Sequence, residues 1–79
     1  MDQLATFHTH FGALSFQRRL AALGDSPVMM PVPRKLSASC GACVRFALPF
    51  SADTMADEDL DGVYAVENSG YRLLFQNGE

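Results

Sequence analysis

Three of the four prolines in this 79-residue chain fall between residues 27 and 33, around the apolar segment 28–30. Proline fixes φ and lacks the N–H that a strand donates to its neighbour, so it is poorly tolerated in helix interiors and central strands. We therefore predict that residues 27–32 form a strand at the edge of a sheet, and that the loop after it is stiff.

The residues before this segment predict one strand and one helix. Residues 4–9 have the composition of a strand, and the hydroxyl of Thr9 can then cap a helix over residues 10–23 by accepting an early backbone N–H. Gly24 is suited to end that helix in a left-handed conformation. The apolar stripe of the helix consists of Ala13, Phe16, Leu20 and Leu23.

The residues after the proline-rich segment predict three more strands and a short helix. Residues 42–48 form a strand in which Val44 and Phe46 share one face, and Pro49 ends it. A short helix is expected over residues 51–60, with Ser51 as its cap. The last two strands are predicted at 63–67 and 71–76, joined by a hairpin loop that contains glycine.

This order of elements predicts the fold class. A β-α-β-β-α-β order with short connections indicates an α+β, ferredoxin-like two-layer sandwich, with helices on one face of an antiparallel sheet and an extra C-terminal strand. The proline-bearing strand 27–32 would lie at an edge and strand 42–48 inside. The length fits a single domain over residues 1–79, and no repeat or linker divides it.

Composition excludes several functional classes. The net charge is −3, without a stripe of Lys and Arg, which argues against nucleic-acid binding. No apolar run approaches the roughly 20 residues that span a membrane, and the first residues lack the features of a signal peptide. Only two cysteines are present, three positions apart, so a disulfide framework is not expected and a cytoplasmic location fits.

Cys40 is the residue whose surroundings most favour chemistry. It follows a polar loop that contains Arg34 and Lys35, and Gly41 removes side-chain bulk next to the sulfur. Nearby positive charge favours the thiolate, which is the nucleophilic form of cysteine. The alternative role is packing, because a free cysteine often serves as a small buried hydrophobe.

The predicted topology gathers further residues around Cys40. The ends of the first two strands and the starts of the first helix and third strand would share one rim of the sheet. We therefore expect Cys40 as the reactive residue, and as binding residues Arg34, His10, Thr9, Ser39 and Gly41. The positive end of the first helix would add to the cations in favouring a thiolate, and His10 would steady it.

Cys43 completes a CxxC spacing, which is typical of redox or metal-binding sites. In an extended strand these two cysteines would stand about 10 Å apart, beyond the roughly 7 Å that a disulfide allows between Cα atoms. Cys43 and Arg45 should occupy the strand face opposite Val44, with Cys43 packed and inert. A zinc site is not expected, because a second ligand pair is missing.

Two other spacings indicate metal sites, and neither is favoured. Residues 57–62 match the acidic start of a calcium loop, but position twelve of that loop is Asn68 where a bidentate Glu is required. His8 and His10 stand two apart, and an isolated pair of this kind is more often a surface feature. We therefore predict no metal and no cofactor.

Short sequence motifs resemble one known family, the putative selenium/sulfur carrier protein-like family of small bacterial proteins or domains. The matching segments are Phe7-His8-Thr9-His10 with Ala13-Leu14, Pro31-Val32-Pro33-Arg34, Leu36-Ser37, Ser39-Cys40-Gly41, Arg45-Phe46 and Gly62-Val63-Tyr64. The resemblance aligns Cys40, and not Cys43, with the cysteine that the family shares.

The resemblance implies a function for Cys40. It would hold sulfur or selenium, as a persulfide or selenide-type cargo, and pass it between proteins. The partners would be a donor of the cysteine desulfurase type and an acceptor protein, and a homodimer is compatible with this role. A carrier protein is favoured over a turnover enzyme. The alternatives are a non-catalytic ferredoxin-like module that binds a partner or assembles through its strand edge, and a CxxC thiol redox protein.

Overall fold

The computed structural model describes residues 2–36 and 41–77. Five strands and two helices follow one another in the order β1, α1, β2, β3, α2, β4, β5. Their bounds are Gln3–Phe7 for β1, His10–Ala22 for α1, Val28–Met30 for β2, Ala42–Phe46 for β3, Ala52–Met55 for α2, Leu60–Glu67 for β4 and Gly70–Gln76 for β5.

The strands form one antiparallel sheet in the order β2-β3-β1-β4-β5. β1 is central: Ala5 stands opposite Val44 of β3 on one side and Val63 of β4 on the other. The predicted edge position of the proline-flanked strand and the inner position of β3 are confirmed. The protein is therefore α+β, and its strand order is compatible with a ferredoxin-like layout.

The first helix begins and ends as its sequence predicts. The Thr9 hydroxyl accepts a hydrogen bond from the Gly12 N–H at 3.0 Å. At the other end Gly24 has a φ of +96°, a conformation that glycine adopts without a Cβ penalty. The N–H groups of Gly24 and Asp25 donate to the carbonyls of Ala21 and Leu20, at 3.1 Å each, which is the Schellman pattern.

The second helix is much shorter than the predicted segment 51–60. It spans only Ala52–Met55, and Ser51 stands at its N-cap position without a side-chain capping bond. The chain turns again at once, because the Asp57 carboxylate accepts from the N–H of Asp59 and of Leu60. β4 consequently begins at residue 60, three residues earlier than expected.

The main core lies between α1 and the sheet. The Phe16 ring stands 5.1 Å from the ring of Phe7 and 5.3 Å from that of Phe46, measured between centroids. Such tilted and edge-on pairs add to the energy of simple burial. Val44 faces the same core, which confirms the predicted register of β3.

Part of the opposite face of the sheet is buried as well. Leu4, Thr6 and Cys43 alternate with the core residues along β1 and β3, yet each is at most 1% exposed. The Pro31 carbonyl lies 3.5 Å from the Cys43 sulfur, and the segment 33–35 reaches the turn between β4 and β5. We infer that the chain after β2 crosses this face and covers it.

Asp25 joins two loops. Its carboxylate accepts hydrogen bonds from the N–H groups of Ala47 and Leu48, at 3.0 Å each, and of Ser26 at 2.7 Å. Burial opposes ionisation of this carboxyl, but the three backbone donors outweigh it and hold the pKa of Asp25 below its usual value. These bonds also explain why β3 ends at Phe46 and not at the predicted residue 48.

Candidate functional site

Gly41 fixes the start of β3 against the end of β1. Its N–H donates to the Phe7 carbonyl at 2.9 Å. A Cβ added at Gly41 would lie 2.9 Å from the His8 carbonyl oxygen, so only glycine can approach this backbone so closely. Gly41 therefore lies against the residues that connect β1 to α1, at one end of the sheet. The predicted reactive residue Cys40 and its neighbour Ser39 lie outside the described residues.

Thr9 lies at this end, as predicted, and has a partner that the sequence did not indicate. Its N–H and its hydroxyl both approach one carboxylate oxygen of Asp59, at 3.1 and 2.9 Å. Gly12 allows this, because a Cβ there would collide with the same carboxylate. A negative charge thus stands at the N-terminus of α1, where it offsets the positive end of the helix dipole.

His8 has a carboxylate neighbour at the same end of the sheet. Its Nε2 lies 4.0 Å from Asp61 Oδ1, and the other Asp61 oxygen accepts from the Thr6 hydroxyl at 3.2 Å. The His8 side chain is about half exposed, at 53%. His10, which the sequence analysis favoured, is exposed, and the described part of the chain offers it no side-chain hydrogen bond or ion pair.

The pairing of His8 with Asp61 was missed because the two residues are far apart in sequence. The register of β1 with β4 brings them together, since Thr6 pairs with Gly62. Alternation along a strand would also have placed Thr6 and His8 on one face. The contact between His8 and Asp61 could therefore have been predicted from the alternation along β1, had β4 been predicted to begin at residue 60.

Arg34 does not lie at the end of the sheet that holds Thr9 and His10. Together with Pro33 and Lys35 it lines a cleft of about 410 Å³ whose other wall is the turn between β4 and β5. That turn adjoins the beginning of β1, because Val66 donates to the Asp2 carbonyl at 3.0 Å. Thr9 follows the end of β1, so the structure does not bring Arg34 beside Thr9 or His10.

Cys43 is fully buried on the sheet face that lies away from α1. Its Sγ donates to the carbonyls of Met30 and Pro31, at 3.4 and 3.5 Å. Arg45 shares this face of β3 but is exposed, and it pairs with Asp2. The predicted facing of Cys43 and Arg45, opposite to Val44, agrees with these contacts.

Three of the four acidic residues from 57 to 61 bind to other groups of the protein. Asp57 pairs with Arg19 at 3.1 Å, Asp59 holds Thr9, and Asp61 accepts from Thr6. Strand β4 occupies the region that would form the second half of a calcium loop. Over residues 2–36 and 41–77, no three His, Cys, Asp or Glu side chains are grouped so as to hold a metal ion.

Comparison with known families gives one match. The model of the family described as "Putative Se/S carrier protein-like" aligns with residues 2–60 of the 79. The chain belongs to the putative Se/S carrier protein-like family. The match to this Se/S carrier-like family includes Thr9, Arg34, Cys40 and Cys43, and it ends at the first residue of β4.

Searches of curated proteins and of solved structures gave no significant match. In the described ranges of this Se/S carrier-like protein, no helix has the length and apolar character needed to cross a membrane.

Proposed function

We propose that this protein carries sulfur or selenium on Cys40. The observation that supports this most directly is that the family match includes Cys40, while the next residue, Gly41, is fixed to Phe7 and the His8 backbone. Gly41 lies at an end of the sheet that also presents the half-exposed imidazole of His8.

The transfer chemistry balances without a cofactor. The Cys40 thiolate attacks the outer sulfur of a donor persulfide, an S–S bond forms on Cys40, and the donor cysteine leaves as a thiolate. An acceptor thiolate then attacks the outer sulfur on Cys40 and releases the Cys40 thiolate. Each step is an exchange of the thiol–disulfide type, and its rate depends on the thiolate fraction and on access.

We propose that His8 is the imidazole that assists the Cys40 thiol, because Asp61 stands beside the His8 ring and is held by the Thr6 hydroxyl. His10, by contrast, has no side-chain partner among the described residues.

We propose further binding roles for the residues that the sequence places near Cys40. Thr9, His10, Ser39 and Gly41 would surround the cargo, with Gly41 providing the close backbone approach. A carrier of reactive sulfur fits the reducing cytoplasm. The single domain 1–79 would be a ferredoxin-like sandwich in which the one-turn α2 takes the place of the second helix.

The function is tested by loading the protein with sulfur. The protein is incubated with a cysteine desulfurase and free cysteine, and its intact mass is measured without reductant. We expect a gain of one sulfur atom that is removed by dithiothreitol and is absent in Cys40→Ser. Cys43→Ala is the matched control, and it should load normally because the Cys43 sulfur is buried.

Two results would contradict the proposal. If neither wild type nor Cys43→Ala gains sulfur or selenium from any donor tested, the protein is better described as a binding or assembly module. If a Cys40–Cys43 disulfide forms readily in the folded protein, the CxxC redox function replaces the carrier.

A further inference from the structure

Two adjacent cations have no ion-pair partner among residues 2–36 and 41–77. The chain has six Lys and Arg residues, of which Arg19, Arg45 and Arg72 pair with carboxylates. The other three have no ion-pair partner in the described part of the chain, and two of these three are the neighbours Arg34 and Lys35. An otherwise acidic protein therefore places two of its three available positive charges side by side.

These two cations line a concave site. The cleft of about 410 Å³ lies between residues 33–35 and the β4–β5 turn, and we call it the Arg34 cleft. Its far wall includes Asn68, Ser69 and Tyr71, whose amide and hydroxyl groups can donate hydrogen bonds. Two cationic residues and three residues with neutral donors therefore line one space.

One carboxylate also lines the cleft, and it is already paired. Glu67 accepts a hydrogen bond from Arg72 Nε at 2.7 Å. Arg72 stands opposite Ala65 in the pairing of β4 with β5. The negative charge of Glu67 is thus offset by a cation that is not itself part of the cleft lining.

We propose that the Arg34 cleft binds a small tetrahedral oxyanion of the phosphate or sulfate class. Arginine presents a planar fork that matches two oxygens of such an anion, and lysine adds a compact point charge. The site is separate from the proposed carrier function, because it involves no cysteine. The β4–β5 residues that form its far wall lie beyond the family match, which ends at residue 60.

A small anion suits the cleft better than an acidic protein does. An acidic protein surface would meet only two adjacent cations on a chain of net charge −3, and repulsion from the rest of the molecule opposes the approach. A small ion is held by short-range hydrogen bonds inside the cleft, where the local charge is positive once Glu67 is paired.

The test is a titration with inorganic phosphate followed by two-dimensional amide NMR, at constant ionic strength balanced with chloride. We expect saturable shifts that cluster at residues 33–35 and 66–71, with sulfate competing for the same site. Arg34→Gln should weaken binding about tenfold, since a hydrogen bond to a charged group is lost. Arg18→Gln is the matched control: it removes the third available cation, from the exposed surface of α1, and should leave binding unchanged.

A second pair of variants tests the electrostatics without touching the two cations. Arg72→Gln removes the cation that pairs with Glu67, so the negative charge of Glu67 should weaken phosphate binding. Glu67→Gln removes that negative charge and should strengthen binding. The proposal is overturned if phosphate produces no saturable shift or if Arg18→Gln weakens binding as much as Arg34→Gln does. It is overturned equally if an oligoglutamate peptide binds the cleft more tightly than phosphate, which would make it a protein-docking surface. Sulfur loading of Cys40 is measured separately, so failure of either proposal leaves the other standing.

Discussion

Replacing Gly41 with alanine should disturb the site next to Cys40 in a measurable way. The added Cβ would lie 2.9 Å from the His8 carbonyl oxygen, a backbone atom that cannot rotate away. The start of β3 must therefore move, which strains the 2.9 Å hydrogen bond from Gly41 to the Phe7 carbonyl. Overpacking of this kind costs about 1–3 kcal/mol, and we expect a loss of about 2 kcal/mol in the free energy of unfolding.

The same substitution should slow the chemistry of Cys40. It adds a methyl group to the residue that follows Cys40 and displaces the start of β3 from the His8 backbone, so alkylation of the native protein by iodoacetamide should slow severalfold. The rate is measured in a Cys43→Ala background, so that only one thiol is present, and stability is measured by urea unfolding.

Gly24→Ala is the matched control for this experiment. At a φ of +96° alanine is strained by about 1–2 kcal/mol, but its Cβ would meet no atom within 4 Å. We expect a comparable loss of stability with an unchanged alkylation rate. The reasoning is refuted if the free energy of unfolding of Gly41→Ala lies within about 0.5 kcal/mol of that of the parent protein. It is refuted as well if both variants slow alkylation equally.

Three further substitutions test other parts of the structure. Asp25→Asn should lower stability by about 1 kcal/mol at neutral pH. Because the folded-state pKa of Asp25 is lowered, that contribution is present above the unfolded-state pKa and is lost as pH falls through the folded value; urea midpoints of variant and wild type should converge in acid. Phe16→Ala should cost about 3–5 kcal/mol in thermal or urea unfolding, and a loss below 1 kcal/mol would contradict its central place in the core. Asp59→Asn removes the negative charge at the start of α1 and should speed alkylation of Cys40 at neutral pH, whereas a slower rate would show that the carboxylate assists the thiolate.

Local features of the sequence were sufficient to predict α1, the edge position of β2 and the inner position of β3. Thr9 and Gly24 mark the ends of α1 through chemistry that acts within a few residues. The prolines beside β2 exclude it from the interior of the sheet. Alternation along β3 predicts correctly that Val44 faces the core, because one face of a strand packs on a helix.

Features that depend on distant parts of the chain could not be predicted in this way. All five residues of β1 are buried, and alternation gives no sign that Leu4 and Thr6 are covered as well. No local pattern indicates that Arg34 shares a cleft with the β4–β5 turn. The contact of Asp59 with Thr9 spans 50 positions and depends on where β4 begins. The structural surroundings of Cys40 remain a prediction, since that residue is outside the described ranges.

The two edges of the sheet differ in a way that limits how copies of this protein can associate. β2 is only three residues long and is flanked by Pro27 and Pro31, which cannot donate to an incoming strand. β5 has seven residues without proline, and its exposed apolar side chains are Tyr71, Leu73 and Leu74. Addition of a strand is therefore confined to β5. When two molecules pair through β5, the β5 edge of each molecule is occupied by the other. Association of this kind therefore stops at a dimer and does not propagate into a fibre.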